Sequence, residues 1–157
     1  MSTPHIDYQK GLKYRENKIL ERAAEILASR YVRDNALCSP DATKEYVRLK
    51  LGSLEHEVFS LLLLDNQHRV IEFKTLFHGT IDAANVYPRE VVKSVLEVNA
   101  AAVIMAHNHP SGDPTPSQAD RRITQKLPDA LAVIDVRVLD HIVVGESSVS
   151  FAERGWL

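Results

Sequence analysis

A single cysteine, Cys38, stands in a chain of 157 residues. One thiol forms no disulfide within the chain and supplies no multi-cysteine zinc site; the scarcity fits a reducing cytoplasm. Basic residues are not in surplus either. The 19 Lys and Arg stand against 21 Asp and Glu, a formal net charge of −2. Proteins that live on phosphate contacts carry a basic excess, so this balance disfavours bulk nucleic-acid binding. Met1 to Gln9 is polar and has no apolar signal core. The longest apolar run, around Leu61 to Leu64, is far short of a membrane span. A cytoplasmic location is the expectation by default. No internal repeat or low-complexity segment occurs. With 45% hydrophobic and 25% charged residues the composition is that of an ordered globular protein, and a chain of this size buries a core without disulfides or metal. Histidine is what the chain has in quantity, with seven. Any transition-metal site must therefore be built from imidazole and carboxylate.

The first dozen residues show no periodicity. From about Tyr14 to Val32 the pattern is helical, with Ile19, Leu20, Ala23, Ile26, Leu27 and Tyr31 on one face. A second helix is expected from Ser39-Pro40-Asp41 to about Leu51, with Ser39 as N-cap and Pro40 in the first turn. Val58 to Leu64 reads as a strand buried on both faces. Asp65 to His68 is a turn, and Val70 to Phe77 the return strand. A helix opens at Tyr87-Pro88, turning Val91, Val92, Val95 and Leu96 inward. Ala101 to Ala106 is another buried strand, leading into a Pro- and Gly-rich loop, His107 to Pro116. A helix follows from Ser117 to about Ala130, weakened at Pro128. Strand-like stretches at Ile134–Leu139, Ile142–Val144 and Val149–Phe151 close the chain. The order implies one α/β or α+β layered fold, a mixed sheet flanked by helices, with a helical N-terminal appendage. The expected division is a tail and helix over residues 1–34 and a single domain over 35–157.

The densest cluster of functional groups is His107-x-His109, at the end of an apolar strand. Residues two apart on a strand point the same way, so both imidazoles can reach one metal. A catalytic zinc takes three protein ligands and keeps a position for water. Asp113 and Asp120 are the candidates for the third. Asp120 sits in the first turn of a helix, a rigid mount, whereas Asp113 lies in a loop and suits a turn. Ser117-x-x-Asp120 also matches a helix-capping pattern, which would fix Asp120 in place.

The string His107-x-His109-Pro110 … Ser117-x-x-Asp120 resembles the JAMM motif of MPN-type (JAB) metalloproteins. Leu64 to His68, His78-Gly-Thr80, Pro88-Arg-Glu90, Asn99 to Ala101, Arg137 to Ile142 and Ser150 to Gly155 are in turn similar to the RadC family. The likeness covers about Leu51 to Leu157. It implies a cytidine-deaminase-like MPN/JAB fold with one Zn²⁺ on His107, His109 and Asp120. The family's upstream glutamate falls on Glu57 in Glu57-Val-Phe-Ser-Leu-Leu-Leu63. Period alone leaves Glu55 open, since it shares the strand face; the family register favours Glu57. By the same resemblance Glu57 is the general base and Ser117 donates to the oxyanion. The implied reaction is hydrolysis of a peptide, isopeptide or other amide bond in an unidentified protein or peptide. An interaction module, or a repair or recombination factor without hydrolase activity, is the alternative.

Other zinc chemistries fit worse. A nucleobase deaminase needs a P-C-x-x-C segment, which one cysteine cannot supply, and no H-E-x-x-H string occurs. Cys38 is expected to be a small buried residue. His68, His78 and His141 are expected in ordinary hydrogen bonds rather than as supports for a metal. Full-length RadC proteins carry an N-terminal extension similar to helix-hairpin-helix DNA-binding units, which a chain this short has no room for. Direct DNA binding is therefore disfavoured. Lys93, Arg121, Arg122 and Lys126 read as solvated helix face. No membrane partner is expected, and the N-terminal helix leaves a homodimer open.

Overall fold

A computed structural model describes residues 8–34, 39–79 and 86–157; Cys38 lies outside them. The helices are α1 (Tyr8–Asp34), α2 (Pro40–Leu51), α3 (Pro88–Glu97) and α4 (Gln118–Ala132). The strands are β1 (Val58–Leu64), β2 (Val70–His78), β3 (Ala102–Asn108), β4 (Arg137–Val144) and β5 (Ser148–Ser150). They form one mixed five-stranded sheet in the order β2-β1-β3-β4-β5. β1 runs antiparallel to β2 and β3, β4 parallel to β3, and β5 antiparallel to β4. The parallel pair requires a crossover, and α4 supplies it.

β1 and β3 are buried along their whole length, because helices cover both faces of the sheet. Alternation decides which side each residue serves. Phe59, Leu61, Leu63, Val103 and Met105 join Val91 and Val95 of α3 and Ile123, Leu127 and Leu131 of α4 in one core. Val58, Leu62, Leu64, Ala102, Ile104 and Ala106 meet Ala24 of α1 and Tyr46, Val47 and Leu51 of α2 in the other. Among the described residues no helix is long and apolar enough to cross a membrane.

Several local expectations need correction. Ile19 and Ile26 of α1 are 67% and 41% exposed; among the described residues of α1, Ala24 is the one buried in the core, with Leu27 packed against it. Leu96 is 58% exposed, because α3 turns Val91 and Val95 inward and has no room for a wider apolar face. Ser39 holds the N-cap position of α2, but its hydroxyl makes no capping bond. Pro128 lies within α4, which continues past it.

The largest difference concerns β4. Asp140-His141 was expected to interrupt two short strands, yet β4 runs unbroken through both, and both are buried. The two polar groups survive there because each is bonded. Asp140 Oδ1 accepts from the backbone N–H groups of His141 (2.7 Å) and Ala152 (2.9 Å), and Oδ2 accepts from Ser150 Oγ (2.5 Å). The carboxylate thereby ties the turn that follows β5 to the sheet.

Burial still pushes the Asp140 carboxyl above the usual carboxylate range, against those three bonds. The native carboxyl thus takes its proton at higher pH than the unfolded chain's. The native state binds more protons across that window, so its stability rises as pH falls through it. Asp140→Asn keeps an acceptor for both backbone donors and has no charge to bury. In urea unfolding, wild type should gain stability relative to this variant as pH falls toward the ordinary carboxylate range, about 4. Parallel pH profiles would contradict a penalised carboxylate.

Candidate metal centre

The register of β1 against β3 builds the site. Phe59 pairs with His107, so Glu57 and His109, two residues further along the same face, come together beyond the end of the paired segment. His107 is fully buried and His109 half-buried. Their Nε2 atoms lie 3.1 Å apart. Asp120, buried at the start of α4, approaches both, with Oδ1 3.1 Å from His107 Nε2 and Oδ2 3.5 Å from His109 Nε2. The donor atoms of Glu57, His107 and His109 all lie within 4.8 Å of one another. Glu55, the other glutamate of that strand face, instead pairs with Lys13 in solvent. The structure thus gathers Glu57, His107, His109 and Asp120.

This donor set fits a divalent transition metal. Two imidazoles and a carboxylate converge at edges of 3.1 to 3.5 Å, the spacing of donors around an ion with bonds of about 2.0 to 2.1 Å. Two carboxylates are in reach as the third ligand. Asp120 is held in the first turn of α4, with its oxygens 3.1 and 3.5 Å from the two imidazoles. Glu57 is half-buried on the solvent side.

Asp120 is held by the cap that the sequence suggested. Ser117 Oγ accepts from Asp120 N (3.1 Å), and Asp120 Oδ2 accepts from Ser117 N (2.6 Å), a reciprocal capping box. Ser117 itself is exposed. Among the described residues no acceptor engages its hydroxyl proton. Burial raises the Asp120 carboxyl pKa, but its close contacts with His107, His109 and Ser117 outweigh this and hold it well below the usual range. His109 moves the opposite way. Its bond to Asp120 raises its pKa against a desolvation penalty.

Each imidazole has a second contact that orients it. His109 Nδ1 lies 2.8 Å from the Asp113 carbonyl oxygen, so Asp113 serves through its backbone while its carboxylate closes a turn onto Thr115 N (2.9 Å). His107 Nδ1 lies 2.8 Å from His141 Nε2, and His141 Nδ1 lies 2.6 Å from Thr124 Oγ1. The ring of His141 stacks on Phe151 and meets the edge of Phe59. Burial pushes its pKa well below the usual histidine value, and His107 acts in the same direction. His141 is thus the residue behind the site, and sequence reasoning discounted it. The available signal was a polar pair inside an otherwise apolar strand. His68 lies against Arg137, and His78 stacks on His56.

Asn108, between the two histidines, points to the opposite face and was also missed. Its Oδ1 accepts from Val58 N (2.9 Å), and its Nδ2 donates to the carbonyls of His56 (3.0 Å) and Leu54 (3.4 Å). It clamps the segment that carries Glu57 to the strand that carries the histidines.

The loop from His109 to Pro116 is fixed against the turn after β4. His109 N donates to Val144 O, and Glu146 N donates to Gly112 O, both at 2.7 Å. Backbones approach so closely here that a Cβ on Gly145 would fall 2.2 Å from Gly112 O. Gly145→Ala must push the loop away, carrying Asp113 O from His109. Overpacking of this kind costs about 1–3 kcal/mol. A lower urea midpoint is expected, and an unchanged one would contradict the close approach. A cleft of about 570 Å³ opens beside this loop, lined among others by Leu20, Leu49, Leu54, His109, Pro110 and Glu146.

Residues 37–156 match the family model of the RadC-like JAB domain. Two Vibrio cholerae proteins, each described as a UPF0758 protein, are 76% identical over 151 residues and 65% identical over 154. These matches cover 96% and 98% of both chains respectively. The UPF0758 protein VP0184 of Vibrio parahaemolyticus is 59% identical over 140 residues, which is 88% of this chain but 62% of that longer protein. The family match spans most of the sequence, and the chain belongs to the RadC family of JAB-domain proteins.

Proposed function

We propose that this protein is a zinc-dependent hydrolase of amide bonds, with a protein or peptide as substrate. One observation carries the reading. Two imidazoles and a buried carboxylate converge at 3.1 to 3.5 Å, with a second, more accessible carboxylate beside them. In this reading His107, His109 and Asp120 hold the metal and Glu57 stays free for proton transfer. Bound there, zinc supplies a water acidified to a pKa of about 7 and a Lewis acid for the carbonyl.

The remaining work falls to the chain. Glu57 accepts the proton of the attacking water and passes it to the leaving amine. Ser117 donates its free hydroxyl proton to the developing oxyanion while its lone pair still caps α4. The cleft bordered by His109 has room for part of a substrate, with Leu20, Leu49 and Leu54 on its walls.

Two of the basic side chains singled out in the sequence are engaged within the protein. Lys93 pairs with Glu90, and Arg121 stacks on Trp156 at 4.2 Å.

Elemental analysis of protein purified without a metal-affinity step, followed by hydrolysis assays on peptide and isopeptide libraries, tests the reading. One zinc per chain and chelator-sensitive cleavage are expected. A protein that takes up no zinc under zinc-replete conditions would refute it.

A further inference from the structure

The hydrogen-bond chain behind His107 has a direction, and that direction can be read from its far end. The Asp120 carbonyl oxygen can only accept, and Thr124 Oγ1 donates its proton there at 2.7 Å. With that proton used, Oγ1 can only accept across the 2.6 Å contact to His141. His141 Nδ1 must therefore carry a hydrogen. Enclosure of this imidazole between Phe59 and Phe151 disfavours a charged ring, so its other nitrogen is bare. His141 Nε2 then accepts, and His107 Nδ1, 2.8 Å away, must donate. The proton of His107 is thereby held on Nδ1, leaving Nε2 as the atom turned toward His109 and Asp120.

We propose that Thr124 and His141 form a polarity relay that fixes His107 in the tautomer able to ligate a metal through Nε2. His141 is a positioning residue in this scheme; it touches neither metal nor substrate. The relay starts and ends on Asp120, whose backbone sets the polarity and whose side chain meets the imidazole so oriented. One residue in the first turn of α4 thus governs both ends. The functional consequence rests on the proposed metal site, but the tautomers do not.

Two measurements test it. In metal-free protein, nitrogen-15 NMR of the imidazoles should show His141 protonated on Nδ1 with Nε2 bare. The opposite tautomer would overturn the relay. Zinc affinity, measured by competition with a chelating dye, should then separate variants by their hydrogen-bonding pattern. His141→Gln can accept from His107 and donate to Thr124, and Thr124→Ser keeps the hydroxyl; both should stay within a few-fold of wild type. His141→Phe and the near-isosteric Thr124→Val break the chain and should bind zinc about 10- to 100-fold more weakly, the usual cost of losing an orienting partner. Equal affinity in the Phe and Val variants, or a Gln variant as weak as Phe, would sink the proposal. If wild type binds no zinc, the hydrolase reading fails and the His141 tautomer still decides the relay.

Discussion

Asp120→Asn is expected to leave the protein folded and to weaken zinc binding by more than about 100-fold, beyond the loss of an outer contact. Asp120→Ala is expected to lose both. The contrast follows from the two jobs of one carboxylate. Oδ2 accepts from Ser117 N at 2.6 Å, and the same group meets both imidazoles. Asparagine can keep its oxygen on Ser117 N, so the capping box survives. Its amide nitrogen then takes the place of Oδ1 and faces His107 with hydrogens where the carboxylate offered lone pairs. Alanine keeps the bond from residue 120 N to Ser117 Oγ but gives up the reciprocal half of the capping box, leaving Ser117 N without its acceptor and two inward-facing imidazoles without their partner, at roughly 1–3 kcal/mol. Urea unfolding of the metal-free proteins, paired with dye-competition zinc titration, separates the two effects. If both variants lose stability equally, the cap is not what asparagine preserves. If Asp120→Asn binds zinc like wild type, Glu57 rather than Asp120 is the third ligand.

The site was legible where its chemistry is written in short strings. His107-x-His109 and Ser117-x-x-Asp120 are local patterns, and strand and cap geometry act within them. The sheet was equally legible in β1 and β3, whose unbroken apolar runs leave only burial on both faces. What escaped notice depends on partners far away in the chain. Asp140-His141 reads as a break because burying two polar groups in a strand is costly. Ser150, Ala152, Thr124 and His107 remove that cost, and none is a sequence neighbour. Glu55 and Glu57 share a strand parity, and only Lys13, from α1, draws Glu55 away. Ile19 of α1 was placed inward by period alone, yet it is 67% exposed, while Ala24 is buried in the core and Leu27 packs against it. The periodicity of a helix shows that a face is apolar, not how much of it a partner has room to cover.

Glu57→Gln should retain zinc and lose hydrolysis by about 10²- to 10⁴-fold, the range of a removed general base. Glutamine has nearly the shape of glutamate, and the segment that holds it is fixed independently of its side chain. Asn108 secures Val58 N and the carbonyls of His56 and Leu54, and Gly79 N bonds the Glu57 carbonyl at 2.8 Å. The substitution therefore removes a proton acceptor and little else. The distinction from Asp120 is the point of the experiment. Both carboxylates lie close to the imidazoles, but only one can be the third ligand while the other handles protons. A variant that keeps zinc stoichiometry and affinity while turnover collapses assigns Glu57 to proton transfer. One that loses zinc assigns it to the metal. Because the inactive, loaded protein still presents its cleft, it should also hold substrates that wild type releases as products. Crosslinking and mass spectrometry of polypeptides retained by Glu57→Gln against wild type would then identify the bond that is cut. Identical recoveries, with no cleavage by wild type, would instead point to a binding module built on the same fold.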